Sequence, residues 1–345
     1  MSGGIAQLLS IGVQDTFIVG NPEVSYFRSV YTRHTNFSHT VEQETVEGNV
    51  QNNGTSTVRF ARKGDLLSYV YFTLDVNNTA IYSTDWTTLI DKVELLIGGR
   101  VVDKQDSFFT ERIAIDALAQ TVSKSSNGPH PGSTGAASYF YPLRFWFCES
   151  WQSALPLIAL QYHDVELRIT WGAQAGAYNW KCWSDYIYLD FQERTKISQN
   201  TIDMLIFQVQ KTAGSGSKIQ ELVFNHPVKF LASSNTTTNN SLTSTSNKIK
   251  LQINGVDISD FKFGKPNFVD VPAYYHCTTV TSPDTFLYSF ALNTGTLQPS
   301  GTLNFSRLDS AYIISETDNI VDPIYAVNYN ILHFENGMAG LLYAD

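Results

Sequence analysis

Charge is scarce in this chain. Asp, Glu, Lys and Arg make up 16% of its 345 residues, against roughly 25% in an average globular protein. No run of Lys or Arg stands out, and the net charge is −9. Binding to nucleic acid draws on clustered cations that displace counterions from phosphate, so a direct grip on a genome is not expected. Cysteine is sparse too: Cys148, Cys182 and Cys277 are odd in number and share no close spacing. They read as reduced thiols of an intracellular protein, not as a disulfide framework. Long apolar runs are missing as well. The opening Met1-Ser2-Gly3-Gly4 carries no basic region, and the apolar stretch after it is broken by Gln14 and Asp15. Neither a signal peptide nor a membrane span is expected there. Ser2 stands where N-myristoylation requires glycine, which argues against that anchor.

The residue patterns of catalysis are equally thin. His34, His39, His130, His163, His226, His276 and His333 show no metal-ligand spacing, so no zinc site is expected. Gly98-Gly99 and Gly214-Ser215-Gly216 lack the spacing of a P-loop or a dinucleotide fold, and turn chemistry is the better reading. Ser215 has the wrong neighbours for a nucleophile elbow. Carboxylates such as Asp164 and Glu166 lie along strands, where a solvated face is the simpler account than an acid–base pair. No catalytic residue, metal or cofactor is assigned.

What the chain does have is alternation. Val70, Phe72, Leu74 and Val76 alternate with Tyr69, Tyr71, Thr73 and Asp75. Val165, Leu167, Ile169 and Trp171 alternate with Asp164, Glu166, Arg168 and Thr170, and Ile249, Leu251 and Ile253 with Lys248, Lys250 and Gln252. A period of two puts one set on a buried face, and strands parted by polar turns along the whole chain predict antiparallel sandwiches. An internal repeat sets their number. Val93–Val102 resembles Ile249–Ile258 at a shift of 156. Both read as hairpins, because Gly98-Gly99 and Asn254-Gly255 tolerate the positive φ of a two-residue turn. Phe147, Pro156, Leu160, Tyr162 and Val165 match Phe290, Pro299, Leu303, Phe305 and Leu308 at a shift of 143. That predicts about 13 extra residues in the first copy, with Ser123–Ser138 as their place. A weaker match pairs Phe37, His39 and Val41 with Phe224, His226 and Val228.

Between the copies, Tyr186–Phe191 reads as a closing strand, and Asp190-Phe191-Gln192-Glu193 as a capping box opening a short helix that ends near Asn200. Another helix should start near Asp106, with Phe109, Ile113 and Ala117 on one face. Among acceptor-type sequons, Asn235 and Asn239 in the Ser233–Asn247 loop are the better sugar candidates. Trp146, Trp151, Trp171, Trp180 and Trp183 fit a core or an interface better than a glycan platform. Arg307, near Asp309, fits a local strand-end contact slightly better than an ion pair between domains or subunits. Periodicity alone does not separate a jelly roll from other antiparallel sandwiches.

Several stretches resemble the major capsid proteins of nucleocytoplasmic large DNA viruses. They include Gly20-Asn21-Pro22-Glu23-Val24-Ser25-Tyr26-Phe27-Arg28, Leu155–His163 and Phe224–Lys229. Ser300–Arg307, with Asn304 and Arg307, and Tyr325-Ala326-Val327-Asn328-Tyr329-Asn330 complete the set. The resemblance implies an all-β fold of two tandem eight-stranded antiparallel jelly rolls with short helices in loops and linker. It implies residues 1–28 as a capsomer-base segment, 29–191 as the first jelly roll, 192–201 as linker and 202–345 as the second. It implies a homotrimeric, pseudo-hexagonal capsomer tiling an icosahedral virion shell. Neighbouring capsomers, minor capsid and penton proteins, and proteins on the internal membrane side are the implied partners. Assembly in the infected host cell, in its cytoplasm, is the implied setting. Asn21, Pro22, Arg28, Asn254, Gly255, Asn304, Arg307, Asn328 and Tyr329 are the structural motif residues. Two other classes stay open: a carbohydrate- or receptor-binding sandwich, and a cupin-like enzyme, which would need a His/Glu metal set.

Overall fold

A computed structural model describes residues 3–83, 85–126, 138–235, 241–278 and 284–343. The chain divides into two compact units, Met1–Asn36 and Phe37–Asp345. The first unit holds helix α1 (Gly3–Leu9), a 3-10 turn at Val13–Asp15 and the short α2 (Thr16–Val19), and no residue of these elements is buried. The turn is closed by Gly12 N–H donating to Asp15 Oδ2 at 2.6 Å. The chain then runs extended, with Asn21 and Phe27 at positive φ.

The second unit begins with β1 (Phe37–Glu44), β2 (Thr55–Arg59), β3 (Leu66–Val76), β4 (Ile90–Ile97) and β5 (Arg100–Asp106). A helical segment, α3 (residues 107–117), follows, wound as a π-helix over Phe109–Ala114. Asp106 Oδ1 accepts from Phe109 N at 2.9 Å, and Phe109, Ile113 and Ala117 are buried, but so are Thr110, Glu111, Ile115 and Asp116: the segment is covered on nearly every side and not on the one face predicted. Then come β6 (Phe140–Pro142), β7 (Val165–Trp171) and β8 (Asn179–Leu189). The strands form one sheet in the order β1-β8-β3, with β6 also on β3, and another in the order β2-β7-β4-β5. Helix α4 (Phe191–Gln199) follows. Asp190 caps it by accepting from Phe191 N at 2.7 Å. That bond goes to the first amide of the helix and not to that of Glu193, and no return bond from Glu193 is made among the described residues, so a simple N-cap stands in place of the predicted box.

The same order then repeats: β9 (Ile202–Thr212), β10 (Ile219–Glu221), β11 (Pro227–Ser234), β12 (Lys248–Ile253) and β13 (Val256–Asp257). Helix α5 (Asp270–His276), β14 (Thr285–Ser289), β15 (Ala311–Ser315) and β16 (Ile324–Glu335) complete it. Sheets β9-β16-β11-β14 and β10-β15-β12-β13 match the first pair strand for strand. Two such antiparallel sheets with crossing connections make a jelly roll, and the chain carries two in tandem.

The repeat holds at the predicted hairpin. Gly98-Gly99 has φ of 59° and 78°, Asn254-Gly255 has 49° and 76°, and both join the fourth strand of a copy to the fifth. The second match is out of register. Ile97 pairs with Val165 and Ile253 with Ala311, so the shift at the seventh strand is 146, not 143. Leu155-Pro156 and Leu303-Asn304, which pair with the start of β3 and of β11, are related by 148. The weak match fails outright: Phe37, His39 and Val41 lie on β1, whereas Phe224 and His226 precede β11, a third strand. Most of Ser123–Ser138 lies outside the described residues.

The predicted face of β7 is observed throughout, with Val165, Leu167, Ile169 and Trp171 buried; that of β3 holds for Val70, Phe72 and Leu74 and reverses at its end, where Asp75 is buried and Val76 only half-buried. Strands β11 and β16 do not alternate. They are buried along almost their whole length, because one face packs into the second sandwich (Val228, Leu231, Ala326) and the other joins the core of the first (Phe230, Tyr325, Val327). A strand covered on both sides shows no period of two.

Candidate assembly surfaces

The seam between the sandwiches is built from β5 and α3 on one side and β9, β16 and β11 on the other. Phe207, Val209, Phe230, Tyr325, Val327 and Tyr329 each bury more than nine-tenths of their surface there. At about 2 kcal/mol for each large apolar side chain, six of them supply a gross term similar to the whole stability of a domain. Directional contacts then fix the fit. Val209 N donates to Asp103 Oδ1 at 3.0 Å, which satisfies a backbone donor on β9, an edge strand of its sheet. Lys211 Nζ lies 2.6 Å from Asp106 Oδ2, and Tyr325 Oη donates to the same oxygen at 2.8 Å. Thr285 Oγ1 donates to Asp116 Oδ2 at 3.1 Å, and Arg112 reaches the Asn235 carbonyl. Tyr162 N donates to Gly337 O at 2.9 Å.

Burial pushes the Asp103 carboxyl up to about 7, although N–H groups of Val209, Gln105 and Lys104 favour its ionised form. Lys229, buried beside the Tyr329 ring, gives a hydrogen bond to the Thr296 carbonyl, and desolvation draws its ammonium down to about 8. None of these acids carries a signal in the sequence beyond Asp106, visible as a helix start. Their role comes from the second sandwich packing on them.

The outer face of the first sandwich, on sheet β1-β8-β3, has the same strand order as the seam face but is open. Val41 is 38% and Tyr69 41% exposed. His39 Nδ1 lies 3.1 Å from Asp185 Oδ1, and Trp183 Nε1 donates to Thr73 Oγ1 at 2.9 Å. Beside these strands opens a cleft of about 310 Å³ lined by Tyr69, Tyr71, Phe140, Pro142, Arg144 and Glu149. Its floor is fixed by a buried ion pair, Arg144 Nη1 to Glu149 Oε1 at 3.0 Å, with Lys124 Nζ 3.2 Å from Oε2.

A third surface follows β13 in the second sandwich. Val256, Ile258, Phe263 and Val271 are exposed, and Tyr274 and Tyr275 of α5 more so, at 80% and 71%. Lys250 and Lys248 lie over Phe261 and Phe263 at 4.8 and 5.4 Å from the ring centroids. Both lysines are also ion-paired, Lys250 with Asp257 at 2.7 Å and Lys248 with Glu316 at 3.3 Å, and the corresponding sheet face of the first sandwich carries Arg59–Glu166 and Arg168–Glu94 pairs.

The motif residues fall in several places. Asn21, Pro22 and Arg28 lie in the first unit. Asn254 Oδ1 accepts from Asp309 N (2.9 Å) and Ser310 N (3.2 Å), which ties its hairpin with Gly255 to the strand beside it. Asn304 caps the turn Phe305–Arg307 by accepting from Ser306 N at 3.0 Å. Arg307 is exposed, and no side-chain partner for it is found among the described residues, so the contact with Asp309 is absent. Asn328 is fully buried, accepting from Gln210 Nε2 at 2.9 Å, and Tyr329 is at the seam. Asn235 is half-buried, its Oδ1 3.4 Å from Thr243 Oγ1. Asn239 lies outside the described residues. Trp146, Trp171 and Trp180 are core, whereas Trp151 is exposed. Among the described residues, no group of His, Cys, Asp and Glu is arranged to hold a metal ion.

Comparison with known proteins decides between the classes left open. The family description "Major capsid protein N-terminus" matches residues 25–190, and "Large eukaryotic DNA virus major capsid protein" matches residues 193–340. The chain belongs to this capsid protein family. Over 403 aligned positions spanning both whole chains, this capsid protein is 34% identical to the major capsid protein of Pyramimonas orientalis virus. Over 444, again spanning both, it is 32% identical to that of Paramecium bursaria Chlorella virus 1. Its fold is similar to the crystal structure of PBCV-1 VP54 fitted into a reconstruction of the virophage Sputnik. The TM-score is 0.78 at 28% identity, over 93% of this chain and 100% of that one. It is a structural component of a large DNA virus capsid.

Proposed function

We propose that this capsid protein works as a homotrimer, a pseudo-hexagonal capsomer in which three chains present six jelly rolls, residues 29–191 and 202–345 of each. One observation carries the reading. The outer face of sheet β1-β8-β3 is open and aromatic, while its twin in the second sandwich is covered by a neighbouring jelly roll. A face of that kind on a shell subunit calls for a partner, and a closed cyclic ring leaves no leftover interface. Tiling then joins capsomers to one another and to minor capsid and penton proteins, in the cytoplasm of the infected cell. The segment of residues 1–28, with its exposed apolar side chains, serves as the base of the capsomer, towards proteins on the internal membrane side. Assembly is the whole mechanism: no residue is assigned a catalytic step, and a net charge of −9 suits a shell that does not grip its genome. Light scattering on the purified protein tests the reading. A trimer at micromolar concentration, and shell-like particles on expression, are expected. A stable folded monomer under those conditions overturns it.

A further inference from the structure

Cations are few in this chain, 23 against 32 acids, and on the sheet faces carboxylates meet them: Arg59 by Glu166, Arg168 by Glu94, Lys250 by Asp257. Beside the seam two cations are left over. Strand β5 is the edge of sheet β2-β7-β4-β5, and β9 is the edge of β9-β16-β11-β14. Where the two edges run side by side, Gln208 Nε2 donates to Val102 O at 2.5 Å and Val209 N to Asp103 Oδ1 at 3.0 Å. A groove opens along this contact in two stretches that share Lys104, Val209 and Lys211. One, of about 310 Å³, sets Lys92, Lys104 and Lys211 against Asp91, Glu94 and Asp106. The other, of about 430 Å³, has Arg100, Lys104 and Lys211 in its lining and one carboxylate, Asp103. Asp103 is buried and already accepts from N–H groups of Val209, Lys104 and Gln105. Lys211 is held by Asp106. The side chains of Arg100 and Lys104 are exposed and make no hydrogen bond or ion pair among the described residues.

The fold does not require these charges. Strand pairings superpose the two copies: both third strands carry a register break at the same point, which puts Tyr69 where Phe230 stands. On the fifth strands, Arg100 pairs with Ile97 as Val256 pairs with Ile253, so the equivalent hairpin is built without a cation. Four residues separate Arg100 from Lys104, about 13 Å along a strand. A single phosphate is held by donors that converge on it, and these two stand too far apart. Carboxylates four residues apart on an extended chain match them, because residues i, i+2 and i+4 share a face. Val101 and Val223, both exposed in the groove, offer apolar contact between the charges. This chain does not supply such a segment. Its one pair of acids four residues apart is Asp318 and Asp322, and Asp322 is buried. We propose that the groove between β5 and β9 binds an extended acidic segment of another protein, its spaced carboxylates on Arg100 and Lys104. On a molecule of net charge −9 this groove is the complementary place for such a segment and rejects the wrong spacing. That the partner belongs to the shell rests on the capsid reading above; the binding itself does not.

The test uses the full chain and a labelled ten-residue peptide, rich in Thr and Val, with two glutamates four residues apart. Fluorescence anisotropy at low salt should show binding. Affinity should fall roughly tenfold or more for the variant Arg100→Glu/Lys104→Glu, and likewise for a peptide whose glutamates are adjacent. Melting of that variant should not change, since both side chains are exposed. Salt at about 1 M, where charges are screened within about 3 Å, should weaken binding as well. Equal affinity for the variant or for the adjacent-glutamate peptide overturns the proposal, as does no binding at millimolar peptide. Inorganic phosphate that displaces the peptide at equal concentration leaves a simple anion site and overturns the acidic segment. A peptide of residues 316–323 binding as tightly gives the groove to a second copy and overturns the separate partner. Light scattering on the same samples reads the trimer independently, so a trimer that ignores the peptide strikes this proposal alone. A monomer that binds it upholds the groove and strikes the capsomer.

Discussion

Tyr69 and Phe230 occupy the same position in two copies of one fold, and their surroundings differ completely. Phe230 has no exposed surface and Tyr69 has 41%. Around Phe230 the neighbouring positions are Val209, Tyr325 and Val327, all buried; around Tyr69 they are Val41, Trp183 and Asp185. A seam formed in the folding of one chain tolerates a continuous apolar face. The open twin mixes aromatic rings with His39 and Asp185, a composition that survives in water before a partner arrives. Strand order decides neither outcome. What decides is whether a jelly roll has a covalently attached neighbour on that side.

The sharpest way to break this comparison is to truncate both positions. Phe230→Ala should cost about 3–5 kcal/mol of subunit stability, the range for a buried aromatic, read by urea denaturation. Tyr69→Ala should cost less than about 1 kcal/mol in the subunit and weaken association instead. Equal costs in the isolated subunit would mean the first face is already core. Next in size is Tyr325→Phe, which deletes a hydrogen bond to the Asp106 carboxylate and should cost about 1.5–3 kcal/mol without altering the trimer contact. An unchanged denaturation midpoint would remove that bond from the seam's energetics.

The seam should also titrate. Asp103 binds its proton more tightly folded, at about 7, than at its ordinary 3.8. Its contribution is therefore complete below about pH 4 and is lost as pH rises through about 7, on the slope of one proton. Asp103→Asn, which has no proton to lose, should flatten stability across that window in denaturation series at stepped pH. A slope identical to wild type would mean another group sets it. The smallest effect on folding belongs to deletion of residues 1–24. No residue in its helices is buried, so melting should not change, while shell-like particles fail to form. A large drop in melting temperature would place the segment in the core.

Local chemistry was legible in the sequence, and long-range chemistry was not. The hairpins at Gly98-Gly99 and Asn254-Gly255 were readable because positive φ restricts residue choice. The alternation of β3, β7 and β12 was readable because each has one covered face. The match at the seventh strand slipped by three residues because apolar residues substitute freely for one another along a strand, whereas turn residues do not. The pairing of Phe37–Val41 with Phe224–Val228 failed for the same reason, resting on a Phe-x-His-x-Val spacing with no turn to anchor it. Strands β11 and β16 lost their period to burial on both sides. Asp103 and Asp116 went unnoticed in the sequence, since nothing in their neighbours announces the β9 edge or Thr285 against them. The motif of Asn254, Gly255 and Asn304 proved to be turn and cap chemistry, while Arg307 has no local role among the described residues.

The order in which the strands leave the ribosome follows from β8 ending at Leu189 and α4 standing after it. All eight strands of the first jelly roll are synthesised before any of the second, so the first can close while its successor is still being made. Strand β9 emerges next, yet its partner in its own sheet, β16, is the last long strand to appear. In the interval Asp103 and Val102 of the finished jelly roll offer β9 acceptors for Val209 N–H and the Gln208 amide. The first domain thus offers a ready template to the nascent chain, with acceptors for an edge strand that would otherwise wait unpaired for the last long strand of its sheet.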